Sequence, residues 1–156
     1  MATESVYLRI EGIPQSWQAP YVTRKGRVFS KAKMKQWQRS VILQARAQRQ
    51  GPLLSGPLMA QYEFVLPSPK NAFAGQLKNT KPDLANLVKC LEDALEGTVI
   101  ENDACIALYL FAFKRYALNV EQPHATVRLW PAADCNEIAL SVLRLIDQRI
   151  VGVDRP

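Results

Sequence analysis

The sequence predicts a single α+β domain, residues 1–156, in which helices flank a mixed β-sheet. The chain has 156 residues, of which 48% are hydrophobic, and this is enough to bury one sizeable core. Segments in which apolar and polar residues alternate, as in strands, are interspersed with segments whose apolar residues recur at helical spacing. Glycine and proline residues separate many of these segments, as expected for turns.

The N-terminal half is predicted to contain two strands and a short hairpin. Residues 6–10 read Val-Tyr-Leu-Arg-Ile and predict the first strand. Residues 21–29 resemble an arm or short hairpin with a tight turn at Lys25-Gly26, where glycine can adopt the positive φ that the turn needs. Residues 58–66 predict the next long strand.

A basic helix is predicted between the hairpin and that strand. Ser30 is a plausible N-cap, and the helix extends to about Gln50, before Gly51 and Pro52. Its apolar side is predicted to consist of Met34, Trp37, Val41 and either Leu43 or Ala45.

The C-terminal half is predicted to contain a helix, two strands and a closing helix. The helix covers residues 84–96 and ends at Gly97, a favourable C-terminal cap. Residues 104–116 and 126–130 predict two strands, with a neighbouring antiparallel arrangement as one option. Residues 135–149 predict a closing amphipathic helix.

Basic residues are concentrated in a segment without acidic residues. Residues 12–62 contain no Asp or Glu, and the whole chain has a net charge of +6. This segregation indicates a surface that faces phosphates, although excess Lys and Arg also serve solubility alone. The basic residues are Arg24, Lys25, Arg27, Lys31, Lys33, Lys35, Arg39, Arg46 and Arg49.

A predicted loop, residues 67–82, combines lysines with one aromatic residue. Such a loop can contact a DNA backbone while Phe73 wedges against a base. The alternative is that Phe73 is tucked under its own loop. The lysines are Lys70, Lys78 and Lys81.

Several classes of protein are disfavoured by what the sequence lacks. Cys90, Cys105 and Cys135 are widely spaced, so they predict reduced thiols in a cytoplasmic protein rather than disulfides or a zinc site. No apolar stretch is long enough to predict secretion or membrane insertion. His124 is the only histidine, which excludes a multi-histidine metal site. No nucleotide-binding or serine-hydrolase motif is present.

Carboxylates cluster around the helix predicted at residues 84–96. Because carboxylates repel one another unless a cation lies among them, this cluster indicates a Mg²⁺ site for work on phosphates. The alternative is that Glu92, Glu96 and Glu101 only solubilise one face of the helix. The cluster holds six of the fourteen acidic residues: Asp83, Glu92, Asp93, Glu96, Glu101 and Asp103.

Helical spacing predicts a polar face and a core face on this helix. Asp83, Asn86, Cys90 and Asp93 fall on one side, with Lys89 close to them. Asp83 beside the first turn would also accept free N–H groups, so capping alone explains it as well as function does. The core face is predicted to consist of Leu84, Leu87, Leu91 and Leu95.

Three short motifs in this region resemble a family signature. Residues 81–89 read KPDLANLVK, residues 93–95 read DAL, and residues 101–104 read ENDA. They resemble the signature of the RusA-type Holliday-junction resolvases, which is roughly K-P-D-x-D-N-x-x-K, then D-A-L, then D-D. The order of elements before the signature is also similar. The resemblance implies a RusA-like fold, with the closing helix at about residues 133–150 as an extension.

The resemblance implies a function. It implies a homodimeric, Mg²⁺-dependent endonuclease, for which Mn²⁺ can substitute, that resolves branched DNA by nicking two strands of a four-way junction symmetrically in recombination and repair. It further implies that Asp83 and Asp103 bind the metal and that Lys89 assists at the transition state. Asn86 matches the asparagine of the signature.

Two positions depart from the signature. Ala85 stands at the second aspartate, and Asn102 replaces the first aspartate of the later pair. Asp83 and Asp103 therefore remain as two carboxylates where the family uses three. Ala85 is either an engineered inactivating change or a mark of a binding-only relative, or another group substitutes for the missing carboxylate.

Other side chains are candidates to support the metal. Glu92 lies near Ala85 in angle around the helix but about 10 Å farther along its axis, so it cannot occupy the same ligand point unless the helix start is distorted. Asn86 is closer and offers a neutral oxygen. The remaining candidates are Asp93, Glu101 and Asn102.

Three functions follow from these observations. The preferred one is a junction-resolving nuclease with retained, weakened activity. The alternatives are a catalytically silent junction-binding protein and a metal-independent RNA- or DNA-binding module. The candidate DNA-binding residues are Arg24, Lys25, Arg27, Lys31, Lys35, Lys70, Phe73, Lys78 and Lys81.

Overall fold

A computed structural model describes residues 5–22, 24–25, 28–29, 31–69 and 73–131, and the isolated residues 137, 140, 141 and 144. The predicted closing helix, Ser30, Arg27, Lys70 and Cys135 lie largely or wholly outside these described residues. The elements within them are β1 (Val6–Glu11), β2 (Tyr21–Val22), β3 (Val28–Phe29), α1 (Ala32–Gln48), β4 (Leu58–Leu66), α2 (Leu84–Leu95), β5 (Ile106–Tyr116) and β6 (His124–Pro131).

Four of the strands form the mixed sheet that the sequence predicts. Their order is β1-β6-β4-β5, with β4 and β5 parallel and the other neighbours antiparallel. The expectation that residues 104–116 and 126–130 are neighbouring strands is wrong, because β4 lies between β5 and β6. Parallel neighbours need a long crossover connection, and here that connection contains α2.

The core lies between one face of this sheet and the two helices. Alternate residues of β4, such as Tyr62 and Phe64, face the helices and are fully buried. From α1, the buried residues are Met34, Trp37, Val41 and Ala45. Leu43, which the sequence offered as the alternative to Ala45 on the apolar side of this helix, is 68% exposed.

The N-terminal elements largely agree with the sequence prediction. β2 and β3 pair as an antiparallel hairpin, with Arg24 and Lys25 in its turn. The N-cap position of α1 is Lys31 rather than Ser30, and it provides no side-chain capping bond. Exposed lysines and arginines cover the outer side of α1, including Lys35 and Arg39.

The end of α2 follows the predicted local signal. The helix ends at Leu95, Glu96 is its C-cap, and Gly97 follows with φ of +64°. This left-handed conformation favours glycine over residues with a Cβ atom. Among the described residues, no helix is long and apolar enough to cross a membrane.

Candidate active site

A cavity of about 640 Å³ lies beside α2, between this helix and β5. One wall is a helical face, because residues 84, 85, 88, 89 and 92 recur at helical spacing. The opposite wall comes from β5 and from the 3₁₀ turn of Asp103–Cys105 that precedes it. The lining residues are Leu84, Ala85, Val88, Lys89, Glu92, Asp103, Tyr109 and Ala112.

Glu92 is the buried carboxylate of this cavity. Only 7% of the residue is exposed, which contradicts the idea that Glu92 serves to solubilise the helix; Glu96 and Glu101 are exposed. Tyr62 and Tyr109 each donate a hydroxyl hydrogen bond to its Oε1, at 2.8 and 2.9 Å. Among the described residues, its Oε2 has no hydrogen-bond partner. The two tyrosines therefore fix the position of Oε1, and neither of them contacts Oε2 with a hydrogen bond.

Burial dominates the titration behaviour of this group. Burial raises the pKa of the Glu92 carboxyl group. The hydrogen bonds from Tyr62 and Tyr109 offset part of this increase. The negative charges of Asp103 and Asp93 raise the pKa further. The pKa of Tyr109 is raised to about 12, mainly by burial and then by its bond to Glu92. Burial also raises the pKa of Tyr62, so both tyrosines remain protonated donors at neutral pH.

Lys89 reaches the cavity from the exposed edge of α2. Its Nζ lies 3.6 Å from a carboxylate oxygen of Asp93 and 5.4 Å from the ring centre of Trp17. The lysine side chain is 48% exposed, and a pair this exposed contributes little to stability. The ion pair with Asp93 therefore does little to hold Lys89 in place.

Asp83 lines a second cavity, of about 550 Å³, on the other side of the first turn of α2. Asp83 occupies the N-cap position and is exposed, but its side chain makes no capping hydrogen bond, so the capping expectation is wrong. Asp83 and Asp103 thus line separate cavities that both include residues of the first turn of α2. The second cavity is lined by Ser16, Trp17, Gln18, Ala19, Lys31, Lys81, Pro82, Asp83 and Asn86.

Residues that the sequence did not single out hold the start of α2 in place. The backbone N–H of Trp17 donates to the carbonyl oxygen of Asn86 at 2.7 Å. From β5, Lys114 Nζ donates to the carbonyl oxygens of Thr80 and Pro82 at 2.7 and 2.5 Å. Local sequence patterns carry no signal for these contacts because they join segments that are far apart in the chain.

The predicted polar face of α2 is only partly correct. Asp83 and Lys89 are exposed, and Asn86 and Asp93 are half-buried. Cys90 was also expected on this face, but it is fully buried, and burial raises the pKa of its thiol to about 12. Helical angles alone misplace Cys90 because α1 packs against this side, where Gln38 donates to its carbonyl oxygen.

The remaining candidate ligands have other surroundings. Glu101 is exposed, and Asn102 accepts a weak hydrogen bond from the Cys105 thiol at 3.9 Å. His124 is buried beside the Arg9 guanidinium. None of the three residues Glu101, Asn102 and His124 lines either cavity.

The donor set in the first cavity fits a hard divalent cation. Within the described ranges, no group of three or more His, Cys, Asp and Glu side chains could hold a metal ion. Mg²⁺, however, is commonly bound through one or two carboxylates, with water and substrate phosphates completing its shell. Asp103 and Glu92 supply two such carboxylates to one cavity.

Exposed basic side chains line part of the second cavity and lie in the hairpin turn. Lys31 and Lys81 are exposed and line the cavity beside Asp83. Arg24 and Lys25 are exposed in the hairpin turn. This distribution offers several contacts to a polyanion near a carboxylate.

Aromatic contacts join the loop before α2 to β5. Phe73 is 46% exposed, and its ring stacks on that of Tyr116 with 5.5 Å between ring centres. Lys78 Nζ lies 4.7 Å from the ring centre of Tyr116 and donates to its hydroxyl at 3.2 Å. Phe73 is therefore supported from beneath by β5 while about half of it faces solvent.

Comparison with known proteins gives one family match. The family model described as endodeoxyribonuclease RusA matches residues 11–129, more than half of the chain. The matched range extends from the end of β1 into β6 and includes both cavities. No curated protein sequence matches the chain.

Proposed function

The chain belongs to the endodeoxyribonuclease RusA family, and we propose that it is a Mg²⁺-dependent nuclease that resolves four-way DNA junctions by symmetric nicking. The proposal rests on one observation above all. Within the matched range, a cavity beside α2 brings Lys89 together with the carboxylates of Asp103 and Glu92. Carboxylates that can bind a metal, with a lysine ammonium group beside them, are the protein components that metal-assisted phosphodiester hydrolysis requires.

The residues around the first turn of α2 have distinct proposed roles. Asp83 and Asp103, which match metal-binding aspartates of the family signature, would be the metal ligands. Mg²⁺ held there would neutralise charge on the phosphate and would lower the pKa of a bound water molecule. Lys89 would place its ammonium group beside the non-bridging phosphate oxygens and stabilise the charge that develops there.

The basic surface would position the junction. Lys31 and Lys81 line the cavity beside Asp83 and would contact a phosphate there, and the exposed Arg24 and Lys25 of the hairpin turn would add further phosphate contacts. Phosphate contacts of this kind fix orientation on the DNA without reading its sequence. Phe73, half-exposed on its loop, would stack on a base near the branch point.

Symmetric resolution requires two active sites related by a two-fold axis. We therefore propose that the working unit is a homodimer, since one copy of the chain supplies one copy of each cavity. Its setting would be DNA recombination and repair in the cytoplasm.

A catalytically silent junction-binding protein is the second candidate. It is favoured by Ala85, whose methyl group lines the cavity where the family signature has a carboxylate. Such a protein would use the same basic surface but would leave the phosphodiester bonds intact.

Incubation with a synthetic four-way junction separates the two candidates. We expect paired nicks near the branch point in Mg²⁺, none in EDTA, and none on a linear duplex of the same sequence. Ala85→Asp should increase the nicking rate if the missing carboxylate limits it. Tight junction binding without nicking by either chain would favour the silent protein, and equal affinity for junction and linear duplex would contradict both.

A further inference from the structure

β1 lies at one edge of the four-stranded sheet. It pairs with β6 on one side, and its other side faces away from the sheet. In an antiparallel pair, the backbone groups of alternate residues point away from the partner strand. An unpaired edge of this kind offers its N–H and C=O groups to a strand of another molecule. The outer side of β1 is therefore a place where a second chain could add.

Two glutamines of α1 bind the backbone of this edge. Gln48 accepts a hydrogen bond from the N–H of Arg9 at 3.0 Å and donates one to the carbonyl oxygen of Arg9 at 2.7 Å. Gln44 makes the same two bonds with the backbone of Glu11, at 2.8 and 3.0 Å. Each side-chain amide therefore binds one residue of β1 as the backbone of a neighbouring strand would.

The spacing of residues along α1 matches the spacing along β1. Gln44 and Gln48 are one helical turn apart, which is about 6 Å along the axis at 1.5 Å per residue. Arg9 and Glu11 are separated by about 6.8 Å, since a strand rises about 3.4 Å per residue. The first glutamine meets Glu11 and the second meets Arg9, so the helix and the strand run in opposite directions here.

Further hydrogen bonds fix the orientation of both amides. The amide nitrogen of Gln44 also donates to Ser40 Oγ at 2.9 Å. The amide nitrogen of Gln48 also donates to the carbonyl oxygen of Gln44 at 3.2 Å. A primary amide has two N–H donors, so both donors of each glutamine are used. A rotated amide would direct its N–H groups at an N–H group of β1, and only the observed orientation satisfies the strand.

We propose that Gln44 and Gln48 form an edge lock, a pair of side chains that prevents β1 from pairing with a strand of a second copy of the chain. A strand that approached this edge would have to break four hydrogen bonds before it formed its own. Covered edges are one way in which proteins avoid association through their sheets. The edge lock is a property of the fold and is independent of the proposed nuclease function.

Amide hydrogen exchange, resolved by residue with NMR, tests the contacts. Gln44→Met and Gln48→Met, combined in one chain, keep the side-chain length and a high helix propensity but remove both amides. We expect the amides of Arg9 and Glu11 to exchange at least about fivefold faster, because each loses its acceptor. The amide of Leu8, which is directed towards β6, should change less. Unchanged exchange at Arg9 and Glu11 would overturn the edge lock.

Analytical ultracentrifugation tests what the edge lock prevents. The double variant should form larger species than the wild-type chain at the same concentration, because unlocked β1 edges can pair with one another. Gln36→Met combined with Gln50→Met adds two methionines at exposed positions and should leave the wild-type distribution unchanged. Larger species in both double variants, or in neither of them, would overturn the proposed role.

The single variants cover the case in which the first double variant folds poorly. Gln44→Met should speed amide exchange at Glu11 more than at Arg9, and Gln48→Met should do the reverse. Exchange that rises equally at Arg9, Glu11 and Leu8 in both single variants would show a general loss of stability and would overturn the edge lock.

Discussion

Lys114 of β5 lies 2.5 Å from the carbonyl oxygen of Pro82, the residue immediately before Asp83. The same ammonium also binds the carbonyl oxygen of Thr80. One side chain of the edge strand thus fixes the backbone from which Asp83 projects. The sheet is thus coupled to the segment that immediately precedes α2.

Replacement of Lys114 should loosen this coupling. Lys114→Met leaves two carbonyl groups without their charged donor, so we expect a decrease of roughly 1–3 kcal/mol in the free energy of unfolding, measured by urea denaturation. Junction nicking at saturating DNA should fall as Asp83 loses its fixed position. Lys33→Met removes the same charge from an exposed position on α1 and should leave both quantities nearly unchanged. Equal effects of the two variants would show that only net charge matters.

Lys89 is predicted to act at the transition state rather than in docking. If its ammonium stabilises developing phosphate charge, Lys89→Ala should reduce the single-turnover nicking rate of bound junction by on the order of 10²-fold or more. Junction affinity should change by less than tenfold. Asp93→Asn, which removes the salt-bridge partner of Lys89, should retain nicking. Weak binding of Lys89→Ala with a normal rate at saturation would assign Lys89 to docking instead.

The basic surface should make junction binding depend on salt. Affinity should fall steeply as NaCl is added, because each phosphate that a basic side chain neutralises releases counterions. Neutralising Arg24, Lys25 and Lys31 to Gln should reduce the slope of log affinity against log salt by about 1 for each residue that binds a phosphate. Arg46→Gln, near the far end of α1, should leave this slope unchanged. An affinity that does not depend on salt would mean that these residues serve only solubility.

An ion pair away from the cavities should give the fold a pH-dependent stability. Arg115 binds both carboxylate oxygens of Glu121, and this interaction lowers the pKa of Glu121 to about 2. The stabilisation is therefore complete above the ordinary pKa of 4.5 and is lost as the pH falls towards 2. Glu121→Gln should cost roughly 1–3 kcal/mol at pH 7 and less at pH 3, by urea denaturation. A cost that is the same at both pH values would contradict this pair.

Local sequence signals predicted the elements that position the site. Apolar spacing and Gly97 indicated α2 to within a residue, and strand alternation indicated β4 at its observed bounds. The order of the sheet was not predictable in this way. The neighbours of β5 depend on a crossover between distant segments, and local alternation contains no record of which strands pair.

Glu92 shows why the site itself was only partly predictable. Its sequence position resembles that of a solvated glutamate on an amphipathic helix. It is hydrogen-bonded by Tyr62 from β4 and Tyr109 from β5, two strands that are distant in sequence and pair in parallel. The signature motifs indicated Asp83, Lys89 and Asp103, but the division of Asp83 and Asp103 between two cavities needed the three-dimensional arrangement.

The most direct test of the proposed function is junction nicking by carboxylate variants. Asp83→Asn and Asp103→Asn are compared with the wild-type chain on a synthetic four-way junction in Mg²⁺, with binding measured in parallel. We predict that each variant loses nicking and binds the junction as well as or better than the wild type, because a negative charge near the phosphates is removed. Undiminished nicking by both variants would contradict the assignment of the active site to the two sides of α2.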